Sequence, residues 1–236
     1  MSNVIIIHGK TPSTLTDSYR ELITELEKNH NVYVPVFTWA TDIKYKYTVE
    51  DSVQIIVDLI KDIQQKNNNV IYIVGHSMGA VALAYYEQFI KSDVKGIVLI
   101  SPGHFVDKPG FINKYKTELD LCKKLQSEGR GDEQVQVRDW NGFEYSDYTT
   151  TPNLFLNWTD SDSNINFTNN CQQITTPILY ITTDDKVDTM IGNNNKENYF
   201  DTIQSPDKEF VMTQATHRTV VGSSKDIILN WIKWFL

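Results

Sequence analysis

Short runs of β-branched and aromatic residues recur along the chain, separated by longer stretches whose apolar residues fall at helical spacing. The runs Val4–Ile7, Val32–Phe37, Val70–Val74, Gly96–Ile100, Pro177–Thr182 and Glu209–Thr213 are the strand candidates. Most are apolar nearly throughout rather than alternating, as expected of parallel strands covered on both faces. Thr16-Asp17-Ser18-Tyr19-Arg20-Glu21 opens a helix with capping residues, and Leu22, Ile23 and Leu26 supply its apolar face. Val53, Ile56, Ile60 and Ile63 mark a second helix, Met78 to Ile90 a third, and about Ser224 to Trp234 the last. Alternation of this kind implies right-handed crossovers and an α/β architecture, a doubly wound, mostly parallel sheet with helices on both faces.

The rhythm stops between His104 and about Thr176, where no strand is predicted. That interval holds a predicted helix over Lys114–Ser127, the turn Gly129–Glu133, and an aromatic stretch with Trp140, Phe143, Tyr145, Tyr148, Phe155 and Trp158. A structureless loop of this length is unusual in a compact domain. The interval therefore reads as a cap or lid inserted at about 104–176. With 236 residues the chain suits one domain spanning 1–236.

Candidate chemistry follows from the ends of the strand runs. Ile71-Tyr72-Ile73-Val74 leads into Gly75-His76-Ser77-Met78-Gly79 and then the helix-favouring Ala80-Val81-Ala82-Leu83-Ala84. This is the strand, turn and helix context of a Gly-x-Ser-x-Gly nucleophile elbow, with Ser77 as the nucleophile. Residues without Cβ at positions 75 and 79 let the flanking backbone pass close, and the helix aims its positive N-terminus at the reacting centre. His8-Gly9-Lys10 follows the first strand, so the N–H groups of Lys10 and Met78 are the candidate oxyanion donors. Gly9 permits the close approach and His8 orders the loop.

A serine nucleophile needs a base, and the base needs an orienting carboxylate. Of the five histidines, His217 sits after the last strand and before the terminal helix, and is the candidate base. His30 falls in a turn, His76 lies inside the elbow pointing away from the serine oxygen, and His104 begins the cap. The carboxylate should follow the preceding strand, where Asp184, Asp185 and Asp188 compete. Asp185 is preferred, Asp184 and Asp188 are the alternatives, and Asp107 is a more distant fourth.

Charge and composition narrow the field. A net charge of −8 argues against nucleic acid or anionic lipid as a partner. Cys122 and Cys171 form no disulfide framework and have no neighbours at metal-ligand spacing, so neither metal nor cofactor is expected. No apolar stretch approaches the roughly 20 residues of a membrane span. The N-terminal run is too short for a secretory signal, which makes Asn157-Trp158-Thr159 and Asn166-Phe167-Thr168 chance glycosylation patterns. A cytoplasmic location is expected.

Taken together, Val4–Lys10 with its His-Gly, the elbow at Gly75–Gly79, the acidic turn after Pro177 and the stretch Ala215–Arg218 resemble the α/β-hydrolase superfamily over essentially the whole chain. The resemblance implies that fold with about six strands, lacking the first two strands of larger members. It departs from the superfamily's usual acid turn, because Thr183 stands where a glycine is common and the turn is one residue short if Asp185 is the acid. Ser101-Pro102-Gly103-His104, Gly129–Glu133 and Thr149–Thr151 with Leu156-Asn157-Trp158 are similar to a set of poorly characterised bacterial hydrolases. The implied activity is hydrolysis of a small carboxylic ester or thioester through an acyl-enzyme, with an apolar acyl or aromatic group held under the cap. Acyl transfer, peptide cleavage and lyase chemistry use the same residues, and a non-catalytic binding module uses the same fold.

Overall fold

The computed structural model describes residues 1–10, 16–40, 45–140, 145–184 and 195–234, without the side chain of Lys196. In chain order the elements are β1 (Ser2–Ile7), α1 (Asp17–Glu27), β2 (His30–Tyr33), α2 (Val49–Lys66), β3 (Ile71–His76), α3 (Met78–Ile90) and β4 (Gly96–Ile100). There follow α4 (Pro109–Lys114), α5 (Lys116–Ser127), β5 (Val135–Trp140), β6 (Tyr145–Thr150), α6 (Pro152–Thr159) and α7 (Phe167–Cys171). The chain then runs through β7 (Ile178–Thr183), α8 (Asn195–Asn198), β8 (Lys208–Thr213), α9 (Val220–Ser223) and α10 (Lys225–Trp234).

Six strands pair in parallel in the order β2-β1-β3-β4-β7-β8. Because successive side chains on a strand point to opposite faces, each apolar run feeds two cores at once. Ile5, Ile7, Ile73, Leu99 and Tyr180 pack with α2 and α3 on one face. Val4, Ile6, Val74, Val98, Ile100 and Ile181 pack with α1, α9 and α10 on the other. This is the α/β-hydrolase architecture. No helix among the described residues is long and apolar enough to cross a membrane.

Strand order places the functional crevice. From β1 the chain moves to β2 on one side, and β3 returns to the other side of β1. The connection after β1 enters α1 on one face, while that after β3 enters α3 on the opposite face. Two neighbouring parallel strands whose connections part in this way leave a cleft at their carboxyl ends. Residues 8–10 and Ser77 both fall there.

Three expectations change. The second strand covers His30–Tyr33 rather than Val32–Phe37. Pro35 has no N–H to give to a ladder, and Phe37 N–H instead donates to His8 Nε2 at 3.3 Å. The helix expected over Lys114–Ser127 is two helices broken at Tyr115, which leaves helical geometry with ψ at 12°. The interval expected to lack strands contains an antiparallel pair, β5 with β6, from Val135 opposite Thr150 to Trp140 opposite Tyr145. Val135 and Val137 alternate with polar residues on the half-buried β5, but Tyr-Ser-Asp-Tyr-Thr-Thr in β6 has no apolar face to announce it.

The segment between β4 and β7 rests on the carboxyl end of the sheet. Trp158 meets Trp39 edge-on at 5.8 Å, Phe155 meets Tyr45 at 5.3 Å, and Thr150 Oγ1 donates to Tyr45 O at 2.7 Å. One ion pair crosses the same boundary. Lys10 Nζ lies 3.0 and 3.2 Å from the carboxylate oxygens of Asp139, which is fully buried and also accepts from Tyr115 Oη at 2.5 Å. Removing one member of a buried pair leaves the other charge uncompensated and costs about 3–5 kcal/mol. Lys10→Met should therefore lower the melting temperature by roughly 10 °C, given about 2–4 °C per kcal/mol in a chain of this size. A calorimetric shift under 3 °C would show the pair to be of no structural weight.

Candidate active site

β3 ends at His76 and α3 begins at Met78, so Ser77 alone makes the turn. Its φ of 55° and ψ of −120° lie where side chains bearing a Cβ are rarely found. Such a conformation costs about 1–3 kcal/mol and persists only where the surroundings hold it. Here Ser77 N–H donates to Ile100 O at 2.9 Å and Ala80 N–H donates to Ser77 O at 3.1 Å. The strand beside the turn and the helix after it thus fix its backbone from both sides.

The glycines of the motif are needed because backbone passes backbone here. A Cβ on Gly79 would stand 2.6 Å from the carbonyl oxygen of His8 and would also strike that of Ile7. One on Gly75 would stand 2.7 Å from Gly79 O. The first turn of α3 consequently lies against the end of β1. Gly9 faces the serine itself, since a Cβ there would reach 2.8 Å from Ser77 Cβ.

His8 secures that loop. Its Nδ1–H donates to Gly9 O at 2.7 Å, its Nε2 accepts from Phe37 N–H, and its own carbonyl accepts from Trp39 Nε1 at 2.9 Å. With one ring nitrogen donating and the other accepting, the imidazole is neutral, and burial lowers its pKa below the ordinary value.

His217 arrives from the far end of the chain, on the connection between β8 and α9. Its Nε2 lies 2.9 Å from Ser77 Oγ. The connection is a tight turn, in which Thr219 N–H donates to Thr216 O at 3.0 Å and Thr216 N–H donates to Thr219 Oγ1 at 3.1 Å. A neutral imidazole so placed can accept the hydroxyl proton at Nε2.

The structure distributes the remaining candidates. Asp184 continues the sheet, with its N–H on Thr213 O at 3.0 Å and Oδ2 accepting from Gln214 Nε2 at 3.1 Å. Asp185 and Asp188 lie outside the described residues. Asp107 accepts from Thr168 Oγ1 at 2.7 Å and pairs with Lys108 at 3.4 Å. His104, at φ 92°, donates from Nε2 to Trp158 O at 2.6 Å. His76 is buried beneath the elbow, its ring centroid 4.8 Å from that of His217. Burial, then the neighbouring His217, hold its pKa well below the ordinary value.

Two residues that are not among the candidates from the sequence also reach this site. A Cβ on Gly103 would lie 3.6 Å from Ser77 Oγ and 3.7 Å from His217 Cε1, so its backbone forms a wall of the space around the two reactive atoms. Tyr19, on α1, hydrogen-bonds both Gly9 and His76. The Ser-Pro-Gly-His string could have pointed to Gly103; for Tyr19 there is no local signal.

The neutral histidines set an acid limit on stability. His8 and His76 have folded pKa values below the unfolded value of about 6.5. The native state therefore binds fewer protons than the unfolded one once pH drops below that point. Their contribution is complete above about pH 6.5 and is lost as pH falls toward the folded values, by up to about 1.4 kcal/mol per pH unit for each histidine. Urea midpoints measured at pH 7.5, 6.5 and 5.5 should fall across the last interval, and less steeply in His76→Gln. Equal midpoints at all three pH values would contradict this account.

The profile of the family described as Serine aminopeptidase, S33 (Hydrolase_4) matches residues 44–221. Among solved structures, the chain is similar to a monoacylglycerol lipase from Paleococcus ferrophilus at 17% identity and TM-score 0.70, covering 99% of this chain and 95% of that one. Est1E from Butyrivibrio proteoclasticus, solved with ferulic acid bound, matches at 15% identity and TM-score 0.66, over 99% and 90% of the two chains. The thioesterase domain from the curacin biosynthetic pathway matches at 14% identity and TM-score 0.62, over 97% and 91%. No curated protein matches the sequence.

Proposed function

The chain belongs to the family Serine aminopeptidase, S33 (Hydrolase_4), and is a serine hydrolase; from that premise we propose that it cleaves a small carboxylic ester or thioester through an acyl-enzyme on Ser77. The observation that carries this reading is the 2.9 Å contact between His217 Nε2 and Ser77 Oγ at a strained elbow. His217 takes the hydroxyl proton as Ser77 Oγ attacks the acyl carbon, then returns it to the departing alcohol or thiol. Water activated by the same imidazole next attacks the acyl-enzyme and releases the acid.

The oxyanion forms against two backbone N–H groups, each worth roughly 2.7–4 kcal/mol in the transition state. Met78 supplies one from the first turn of α3, where amides have no partner within the helix. Gly9 N–H already donates to Tyr19 Oη at 2.9 Å, which favours Lys10 N–H for the second. Asp185 orients His217, with Asp184 and Asp188 as the competing acids.

The segment between β4 and β7 acts as the cap of a single hydrolase domain. Trp158 and Phe155 are buried against Trp39 and Tyr45, so they seat the cap rather than line a pocket. Phe105 and Phe111, half-buried beside Gly103 and His104, supply the apolar surface for an acyl or aromatic group. The lipase and the ferulic acid-bound protein among the structural neighbours are in keeping with such substrates. Peptide cleavage is the second reading, and the family's description favours it.

Wild type should label with a fluorophosphonate and turn over p-nitrophenyl esters, and Ser77→Ala should do neither. Absence of both in wild type would sink the hydrolase reading, whereas labelling that survives in Ser77→Ala would move the nucleophile elsewhere. Parallel assays on aminoacyl p-nitroanilides separate ester from peptide chemistry. Among Asp184→Asn, Asp185→Asn and Asp188→Asn, the Asp185 variant should lose the most, on the order of 10⁴-fold in kcat. Gly103→Val places methyl groups into the space beside Ser77 and His217. It should lower kcat/KM more for p-nitrophenyl octanoate than for the acetate, and equal losses on both esters would count against Gly103 as a wall of the acyl site.

A further inference from the structure

His76 carries a hydrogen bond on each ring nitrogen. His76 Nε2 lies 3.0 Å from the main-chain carbonyl of His217. A carbonyl can only accept, so Nε2 bears the proton and Nδ1 is the bare acceptor. Tyr19 Oη lies 2.6 Å from Nδ1 and must therefore donate. Its remaining capacity is to accept, and Gly9 N–H donates to it at 2.9 Å. Each donor thus has one acceptor in a single direction, from Gly9 N–H to Tyr19 Oη, from Tyr19 O–H to His76 Nδ1, and from His76 Nε2–H to His217 O.

The ends of this chain of bonds are informative. Gly9 precedes the amide assigned above to the oxyanion, and His217 is the residue assigned as base. Both linking side chains are buried, with Tyr19 2% and His76 7% exposed. The rings are packed as well as bonded: Tyr19 meets His76 edge-on at 5.6 Å, and His76 lies against His217 at 4.8 Å. The neighbouring Ser18 repeats the connection at the surface, its Oγ donating to Thr219 O at 3.2 Å and accepting from Gly222 N–H at 2.8 Å. The start of α1 is thereby fastened to the turn that carries the base.

We propose that Tyr19 and His76 are positioning residues that lock the oxyanion loop and the base-bearing turn to each other beneath Ser77, through a one-way hydrogen-bond relay in which His76 is held as the Nε2–H tautomer. The proposal rests on the hydrolase reading for its kinetic consequence, but not for the relay itself. Any buried imidazole needs partners, but those of His76 lead to the two segments that carry the assigned reacting groups, the loop after β1 and the turn after β8. The relay keeps the proton acceptor and the oxyanion donors in register, and so acts on the chemical step rather than on substrate capture.

Two measurements test it. Nitrogen-15 shifts of His76 in the unliganded protein at pH 7.5 should show a protonated Nε2 and a bare Nδ1; the opposite tautomer, or rapid averaging, overturns the relay whether or not the protein is a hydrolase. On p-nitrophenyl butyrate, Tyr19→Phe deletes one oxygen and should lower kcat about tenfold with KM within twofold. His76→Gln, whose Nε2 can still reach the His217 carbonyl, should keep more activity than His76→Asn, whose shorter amide cannot. Wild-type kcat in Tyr19→Phe, or equal loss in the Gln and Asn variants, overturns the positioning role. Failure of the wild type to turn over the ester removes the ester reading instead, and the tautomer measurement then decides the relay alone.

Discussion

Everything at this site hangs on one close passage of backbone over backbone. The first turn of α3 lies against the carbonyls that end β1, closer than any side chain on Gly79 would allow. That contact brings the loop after the first strand alongside a serine that follows the third. The topological split between β1 and β3 makes the passage possible, and the missing Cβ atoms let it close. Ser77's left-handed φ is the conformational cost, borne by ladder bonds to β4 and by the helix start behind it.

From that passage outward, each functional group is held by something other than its sequence neighbours. Ser77 is held by β4 and His8 by the aromatic stretch after β2. His217 lies against a histidine of the elbow. The polar groups beneath the serine satisfy one another in pairs, as buried donors and acceptors must. Apolar packing surrounds them on both faces of the sheet, so the network works in a medium where a misdirected hydrogen bond is expensive.

The parts that were legible in the sequence are those with a period or a spacing. Continuous apolar runs announced five of the strands to within two residues of their observed ends, and Gly96–Ile100 matched at both. Ser77 and His217 were readable because each follows a strand and precedes a helix. What was not legible depends on pairing at long range. β6 has no apolar face of its own and is a strand because β5 lies beside it. Phe37 sits in a β-branched run, yet Pro35 and the ring of His8 take its backbone out of the ladder. Tyr19 stands in the capping stretch that opens a helix, with nothing of its own to mark it. Its hydroxyl matters only because His76, 57 residues later, ends up above it.

The 140 residues that separate Ser77 from His217 have a consequence for the life of the chain before it is complete. During synthesis the elbow leaves the ribosome while the base, its turn and the last two parallel strands are still unmade. β7 and β8 must be added to the sheet edge before the turn carrying His217 has anything to stand on. On the proposed mechanism, a chain grown only past the elbow has no imidazole at its serine and lacks the proton acceptor that attack on an ester needs. Under that mechanism the nucleophile waits for its base until both β7 and β8 have joined the sheet.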